Sequence, residues 1–386
     1  LSNVHFLSSG CISSNFLVDI LAKTMLNWST KKLGEIREEI KKEKAPIGAM
    51  PYIEIGNVNI ESKKVNFTKK GAVKGSVFCP EESILISRVR PTRGAVVLAN
   101  KKYAVSSAFT IIQPKINPRL LFYFLAWNKK FFEYLKNLQK GTSYPSVRES
   151  DILDFEVSFP EGKVEQKKIV YVLDSIQKVI RVQEKIIEKT KELKKMMMKK
   201  LFTEGTRGAK LKKTEIGEIP ENWEVINFEN SLNRKAKFLV GELKQKDYQI
   251  MGKYPIIDQS EEFITGYSDT KNLVYRGSLP VVIFGDHTRV VKFIDFPFII
   301  GGSGIKILIP IKEFDINYFY YLISGLNIES RGYNRHFGIL KEKLIPKPSL
   351  IEQREIAEIL QTIDQKIEIE QKKKALYEEL FRTMLN

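Results

Sequence analysis

Apolar positions along this chain follow two distinct rhythms. Between Val164 and Phe202 no proline intervenes, and Ile169, Leu173, Ile176, Ile180, Ile187, Leu193, Met197 and Leu201 hold a spacing of three and four. That period predicts one helix of about forty residues, roughly 60 Å long, with an apolar seam that needs a partner. The chain writes the start of this helix twice. Glu165-Gln166-Lys167-Lys168-Ile169 returns as Glu352-Gln353-Arg354-Glu355-Ile356, and Ile169, Val172, Leu173, Ile176 and Ile180 fall on Ile356, Ile359, Leu360, Ile363 and Ile367 at one constant offset. The repeat Glu352 to Leu385 is therefore the expected partner, with Tyr377, Leu380 and Met384 extending its stripe. Polar residues interrupt both seams. An antiparallel register brings Gln183 near Glu370, where a buried polar pair would fix alignment; alternatively Gln183, Thr190, Glu370 and Lys374 face another protein.

The rest of the chain is mixed. Short β-rich runs (Pro51 to Ile60, Ser83 to Arg90, Ala95 to Ala99, Tyr103 to Gln113) are separated by Gly, Pro and Lys turns. Asn117-Pro118 then offers a cap and a first-turn proline to a helix running from Leu120 to Leu138 and stopped by Gly141. A second mixed segment opens at Ile219-Pro220-Glu221-Asn222-Trp223. Within it Ile84 to Pro114 is repeated without a gap as Pro280 to Pro310, laying Thr92-Arg93 on Thr288-Arg289 and Ser107 on Ser303. Asp315 is the expected cap of the corresponding helix. The fold class read from this is α+β: two mixed α/β globules separated by two long helices that pair as an antiparallel coiled coil, with an internal pseudo-twofold repeat. The expected boundaries are 25–160 and 209–348 for the globules, and 161–208 and 349–386 for the helical spacers. Ser-rich residues 1–24 are expected to lie outside the core.

Charge narrows the class of partner. The 63 Lys and Arg outnumber the 46 Asp and Glu among 386 residues, a formal net charge of +17. Such an excess suits a polyanion, nucleic acid first. No run of eighteen uncharged apolar residues is present to span a membrane, and two cysteines, Cys11 and Cys79, build no disulfide framework, so the chain reads as intracellular.

Motifs for catalysis are missing. The sequence has no phosphate loop of the G-x-x-x-x-G-K-[ST] type, no G-x-G-x-x-G, and no Asn-Pro-Pro-Tyr of an amino-methyltransferase. Gly301-Gly302-Ser303-Gly304 has the spacing of a turn. His5, His287 and His336 are far apart, and Glu192-Leu193-Lys194 reads as helix surface rather than a nuclease site. A chain without a reaction centre binds and positions. The candidate contacts lie in two turns, Arg88-Val89-Arg90-Pro91-Thr92-Arg93-Gly94 and Gly285-Asp286-His287-Thr288-Arg289. Arg pairs bidentately with guanine, while Thr, Asp and His serve other base edges. Ser107, Ser303 and Lys306 sit on the following strand and are expected to line the same surface. Lys101 and Lys102, with Lys69, Lys70, Lys74, Lys129 and Lys130, are the expected phosphate contacts.

Several short motifs, in this order and doubled, carry a resemblance. Gly141-Thr142-Ser143-Tyr144-Pro145-Ser146-Val147 precedes Asp151-Ile152, then come Pro160, Glu165-Gln166-Lys167-Lys168-Ile169 and Lys200-Leu201-Phe202-Thr203-Glu204-Gly205. Ile216-Gly217-Glu218-Ile219-Pro220-Glu221-Asn222-Trp223 and the second Glu352-Gln353-Arg354 follow. From Met25 to Asn386 the chain resembles the specificity subunit of a type I restriction-modification system. The resemblance implies two target recognition domains, each reading half of a bipartite double-stranded DNA site, with the paired helices as a ruler. It implies methyltransferase (M) subunits that use S-adenosylmethionine to methylate adenine, and restriction (R) subunits that use ATP and Mg²⁺. By the same resemblance this chain is a non-catalytic cytoplasmic subunit that binds none of these cofactors. In the second domain Gly332-Tyr333-Asn334-Arg335-His336-Phe337 stands where the Ser-Tyr-Pro run is expected. Two other readings stay open: the recognition subunit of a methylation-only or type II-like system, and a helical protein-protein scaffold, which would show no phosphate-like salt dependence on DNA.

Overall fold

The computed structural model describes residues 27–39, 43–48, 50–66, 71–141, 143–233, 241–330, 332 and 334–385. The expected extension over residues 1–24 lies outside the described residues, as do Lys69 and Lys70. Two compact units emerge: residues up to Val182 together with Lys373 onward, and Gln183–Lys372. Each holds one mixed globule and a stretch of both long helices.

The first unit closes by pairing its outermost strands, Trp28–Lys32 running antiparallel to Glu156–Pro160 with Trp28 opposite Pro160. At its centre Ile84–Ser87 lies between Val96–Leu98 and Phe109–Ile112, all antiparallel. The run Ile84-Leu85-Ile86 is apolar throughout because both faces of this sheet are covered. Ile84 and Ile86 join Val96 and Ile112 in a core shared with helices α1 (Pro118–Ala126) and α2 (Lys129–Leu138), while Leu85 faces Ile53, Val97, Tyr103 and Val105. Where sequence pattern predicted one helix over Leu120–Leu138, the chain forms two. Asn128 accepts a hydrogen bond from the Phe131 amide at 3.1 Å, and this second cap starts α2 afresh. Short α3 (Glu149–Leu153) precedes α4 (Lys163–Glu204), the long helix, 42 residues without a break.

The second unit repeats this plan. Glu224–Asn227 pairs antiparallel with Leu344–Lys347, and Val281–Gly285 lies between Val291–Ile294 and Ile305–Leu308. Val282 and Phe284 face the core containing α5 (Ile316–Gly325), whereas Val281 and Ile283 face Ile257, Phe298 and Ile300. Both globules also contain a parallel pair, Tyr52–Ile53 with Tyr103–Val105 and Tyr254–Ile257 with Ile299–Ile300. As expected, Asp315 caps α5, accepting from the Asn317 and Tyr318 amides at 2.9 and 3.1 Å. Helix α6 (Phe337–Lys341) then leads to α7 (Leu350–Leu385).

Within each unit the two long helices meet in antiparallel sense. In the first, Leu173, Ile176 and Ile180 of α4 pack with Tyr377, Phe381 and Met384 of α7, and Ile169 joins the same cluster. Leu380, expected on this seam, is 36 % exposed. At 100° per residue it points about 85° away from the line through Tyr377, Phe381, Met384 and Leu385, so Phe381 takes its place. In the second unit Ile356, Leu360 and Ile363 of α7 pack with Met197, Met198 and Leu201 of α4. Ile187 and Ile367 are buried as expected. Lys194 pairs with Asp364 at 2.6 Å and Glu192 with Lys189 at 2.7 Å, so Glu192 and Lys194 serve helix surfaces. Buried Glu370 is met by Lys366 of its own helix at 2.6 Å, and Gln183 Oε1 is buried without a hydrogen-bond partner among the described residues.

The doubled Glu-Gln has a structural cause. Gln166 Oε1 accepts from the Asn117 amide at 2.9 Å while its Nε2 donates to the Pro160 carbonyl at 2.7 Å. Gln353 accepts from the Asp315 amide at 2.8 Å and donates to the Pro348 and Glu313 carbonyls at 2.9 and 3.0 Å. Each buried amide thus ties the first turn of a long helix to a closing strand and to the cap of α1 or α5. Among the described residues no helix is long and apolar enough to cross a membrane.

Candidate nucleic-acid interface

Each central sheet ends in the turn that the sequence singled out, and the two turns differ in build. In the first unit residues 88–95 join Ser87 to Val96. Pro91–Arg93 forms a single 3-10 turn bounded by Arg90 and Gly94, both left-handed (φ 48° and 77°). In the second the link is shorter, residues 286–290, and Arg289 takes the left-handed conformation (φ 65°) while its amide bonds the Gly285 carbonyl at 2.7 Å. The gapless alignment of Thr92-Arg93 with Thr288-Arg289 therefore equates positions whose backbones differ.

The first turn sorts its arginines. Arg88 is half-buried and its guanidinium donates to the Ser107 carbonyl, so this side chain braces the neighbouring strand instead of reaching outward. Arg90 reaches the Ser143 carbonyl at 3.5 Å and lies over the Tyr144 ring at 5.2 Å. Thr92 and Arg93 are exposed, and the Arg93 side chain makes no hydrogen bond or ion pair with a described residue. Ser107 is exposed at the same end of the sheet. Lys101 and Lys102 are exposed but leave from the other end of the strands, roughly 10 Å away along a strand of three to four residues. They do not share a surface patch with the turn.

The second turn gathers all its expected members, in different roles. Asp286 is 2 % exposed and acts inside the fold. Its Oδ1 accepts from the Phe337 amide at 2.8 Å, its carbonyl accepts from the His336 amide at 2.8 Å, and Lys306 Nζ stands 4.0 Å from Oδ2. Asp286 thus starts α6 and is corrected from base reader to cap, with Lys306 held beside it over the Phe337 ring. The His287 amide donates to Gln259 Oε1 at 3.1 Å, Thr288 Oγ1 donates to the Gln259 carbonyl, and Gln259 Nε2 reaches the Ser303 carbonyl at 3.4 Å. Arg289 is exposed, and one end of its guanidinium is tied to the main chain, Nη1 donating to the Ile328 carbonyl at 2.9 Å. Thr288, Arg289 and Ser303 form the open tip.

Three contributors were not legible as site residues. Tyr144, 73 % exposed, belongs to the Ser-Tyr-Pro run, which packs on the first turn through the Arg90 amide and Pro145 carbonyl at 2.7 Å. His336-Phe337 packs on the second turn in the same way, so the divergent run there does the same structural work. Gln259 organises the second turn from a distant loop, which no local spacing announces. What these tips present is chemistry for hydrogen bonding to base edges or phosphates: exposed guanidinium and hydroxyl groups, and one open aromatic ring.

Comparison with known proteins finds a family match over most of the chain and relatives along it. The profile of the type I restriction modification DNA specificity domain matches twice, over residues 25–192 and 220–379. The type I restriction enzyme MjaVIII specificity subunit of Methanocaldococcus jannaschii is 27 % identical over 398 aligned positions, which cover 93 % of this chain and 91 % of that protein. The putative type I restriction enzyme MjaX specificity subunit of the same organism is 31 % identical over 296 positions, 70 % of this chain and 67 % of the relative. Among solved structures, the type I restriction-modification S subunit from M. genitalium superposes with a TM-score of 0.58 at 18 % identity, covering 94 % of this chain and 96 % of that one. A chain from a structural study of type I R-M complex assembly and conformational transition also gives 0.58 at 18 % identity, covering 93 % and 97 %. At such identity these structures speak to the fold.

Proposed function

The chain belongs to the type I restriction modification DNA specificity family, and from that premise we propose that each of its units reads one half of a bipartite double-stranded DNA target. The observation that carries this reading is the pair of turns, each built on the same three-stranded sheet and each exposing a threonine and an arginine: Thr92 with Arg93, Thr288 with Arg289. Exposed arginine on a rigid turn suits bidentate bonding to guanine O6 and N7, worth about 1–3 kcal/mol of discrimination per good pair. Arg90, steadied over Tyr144, is placed for a base edge or a phosphate. Scattered exposed lysines such as Lys101 and Lys102 supply affinity that does not depend on sequence.

In this proposal the protein performs no chemistry. It positions methyltransferase subunits, which carry S-adenosylmethionine and methylate adenine, and restriction subunits, which use ATP and Mg²⁺, on chromosomal DNA in the cytoplasm. Reading two separate half-sites adds two recognition energies while the bases between go unread. The test is a pair of substitutions in the complex with its methyltransferase subunits. Arg93→Ala is expected to relax selectivity at one half-site by about 1–3 kcal/mol and Arg289→Ala at the other. Binding assays on duplexes altered in either half read this out directly. Equal weakening on every sequence would contradict base reading by these side chains.

A further inference from the structure

A buried lysine lies behind each turn, the first bonded to the turn itself and the second to the loop that braces it. Lys63 is 9 % exposed, with a left-handed backbone (φ 55°) that few residues bearing a Cβ adopt. Its Nζ donates to the Gly94 carbonyl at 2.7 Å and lies 5.6 Å from the Phe132 ring centre and 6.0 Å from that of Trp127. Gly94 ends the 3-10 turn that presents Thr92 and Arg93, and a Cβ added there would sit 2.9 Å from Lys63 Nζ. In the second unit Lys292 is 4 % exposed and donates to the carbonyls of Asp258, at 2.9 Å, and Glu262. Those two carbonyls bracket the loop whose Gln259 holds His287, Thr288 and Ser303.

We infer that Lys63 and Lys292 are positioning residues for the two recognition turns, each binding main-chain carbonyls so that Thr92-Arg93 and Thr288-Arg289 are presented in the geometry that reads DNA. The inference rests on the proposed reading of those turns as DNA contacts. Burial makes each ammonium costly to keep charged. Among the described residues Lys63 faces two aromatic rings and a carbonyl, with no charged side chain to offset its burial, and burial pushes its pKa down to about 8. Lys292 is also pushed down, by burial first, with Asp258 and Glu262 opposing. A lysine whose folded pKa lies below its free value near 10.5 leaves the folded state with fewer protons than the unfolded one between those values. Stability contributed by Lys63 therefore rises as pH goes from about 8 to 10, and a buried charge is a cost below that range.

Two readouts separate positioning from packing. Lys63→Met is expected to melt at or above the wild-type temperature near pH 7 and to lack the wild-type gain between pH 8 and 10. The complex with its methyltransferase subunits is then titrated with a duplex carrying its methylated motif and with two duplexes in which one half is scrambled. Scrambling should cost the wild type affinity at either half. In Lys63→Met the cost at one half should shrink at least about tenfold with the other unchanged, and in Lys292→Met the opposite half should be the one affected. Lys63→Gln, which keeps a donor for the Gly94 carbonyl, should recover part of the lost selectivity. Unchanged costs at both halves in the folded variants, or losses at both halves that track a lowered melting temperature, overturn the inference. If Lys292→Met does not fold, Lys63→Met decides alone. No cost of scrambling in the wild type would remove the DNA reading of the turns, and this inference with it, before any variant is compared.

Discussion

Gln166 and Gln353 occupy matching places in the two long helices, and both are buried with the oxygen and nitrogen of their amides bonded to main-chain groups. Replacing Gln353 by Ala would orphan the Asp315 amide and the Pro348 and Glu313 carbonyls, at about 1–3 kcal/mol for each group left without a partner or water. Thermal or denaturant unfolding should show the second unit weakened, and a loss below about 1 kcal/mol would contradict this account of the repeat. The glutamine is visible in the sequence as half of a doubled motif, but its role is not, because two of its three partners lie 38 and 40 residues away. The same distance problem governs the site. Arg90, Thr92 and Arg93 could be read from turn chemistry alone. Asp286 could not: its burial depends on His336 and Phe337, which reach it only through the folded chain. Lys63, Gln259 and Lys292 left no local signal for the same reason.

At the scale of elements, periodicity read the long helices well and the short ones less well. The seam of α4 was legible because a spacing of three and four over forty residues admits only one face. On α7 the pattern selects Leu380, and the neighbours replace it with Phe381, which meets Tyr123 at 5.6 Å and Trp127 at 5.2 Å between ring centres, both near edge-on. Phe381→Ala is thus expected to destabilise the first unit by about 3–5 kcal/mol, while Leu380→Ala stays within about 0.5 kcal/mol. Comparing the two in one unfolding experiment checks the placement, and the reverse order would refute it. The pattern does not announce the break between α1 and α2, because Asn128 sits inside an apolar helical run where its capping bond to Phe131 outweighs periodicity. By composition Tyr103 to Gln113 is one β-rich run, yet it holds two strands in different sheets, with Ser106 and Ser107 at the crossing between them.

For the whole molecule, two units on one plan, an internal repeat of both globule and helix, and a net charge of +17 combine with family membership to support the proposal that this protein chooses DNA sequences for others to modify. The repeat was legible because it is gapless where it matters. The sequence that each unit is proposed to read is not legible, since the exposed side chains of the two turns stand on backbones that differ. The adenine methylome of the organism that carries the gene, compared with the gene intact and deleted, tests this account most directly. Loss of a single bipartite motif on deletion is the predicted result, and its two halves would be those that the Arg93 and Arg289 substitutions relax. A methylome that keeps every modified motif after deletion would contradict the claim that this chain selects the DNA to be methylated.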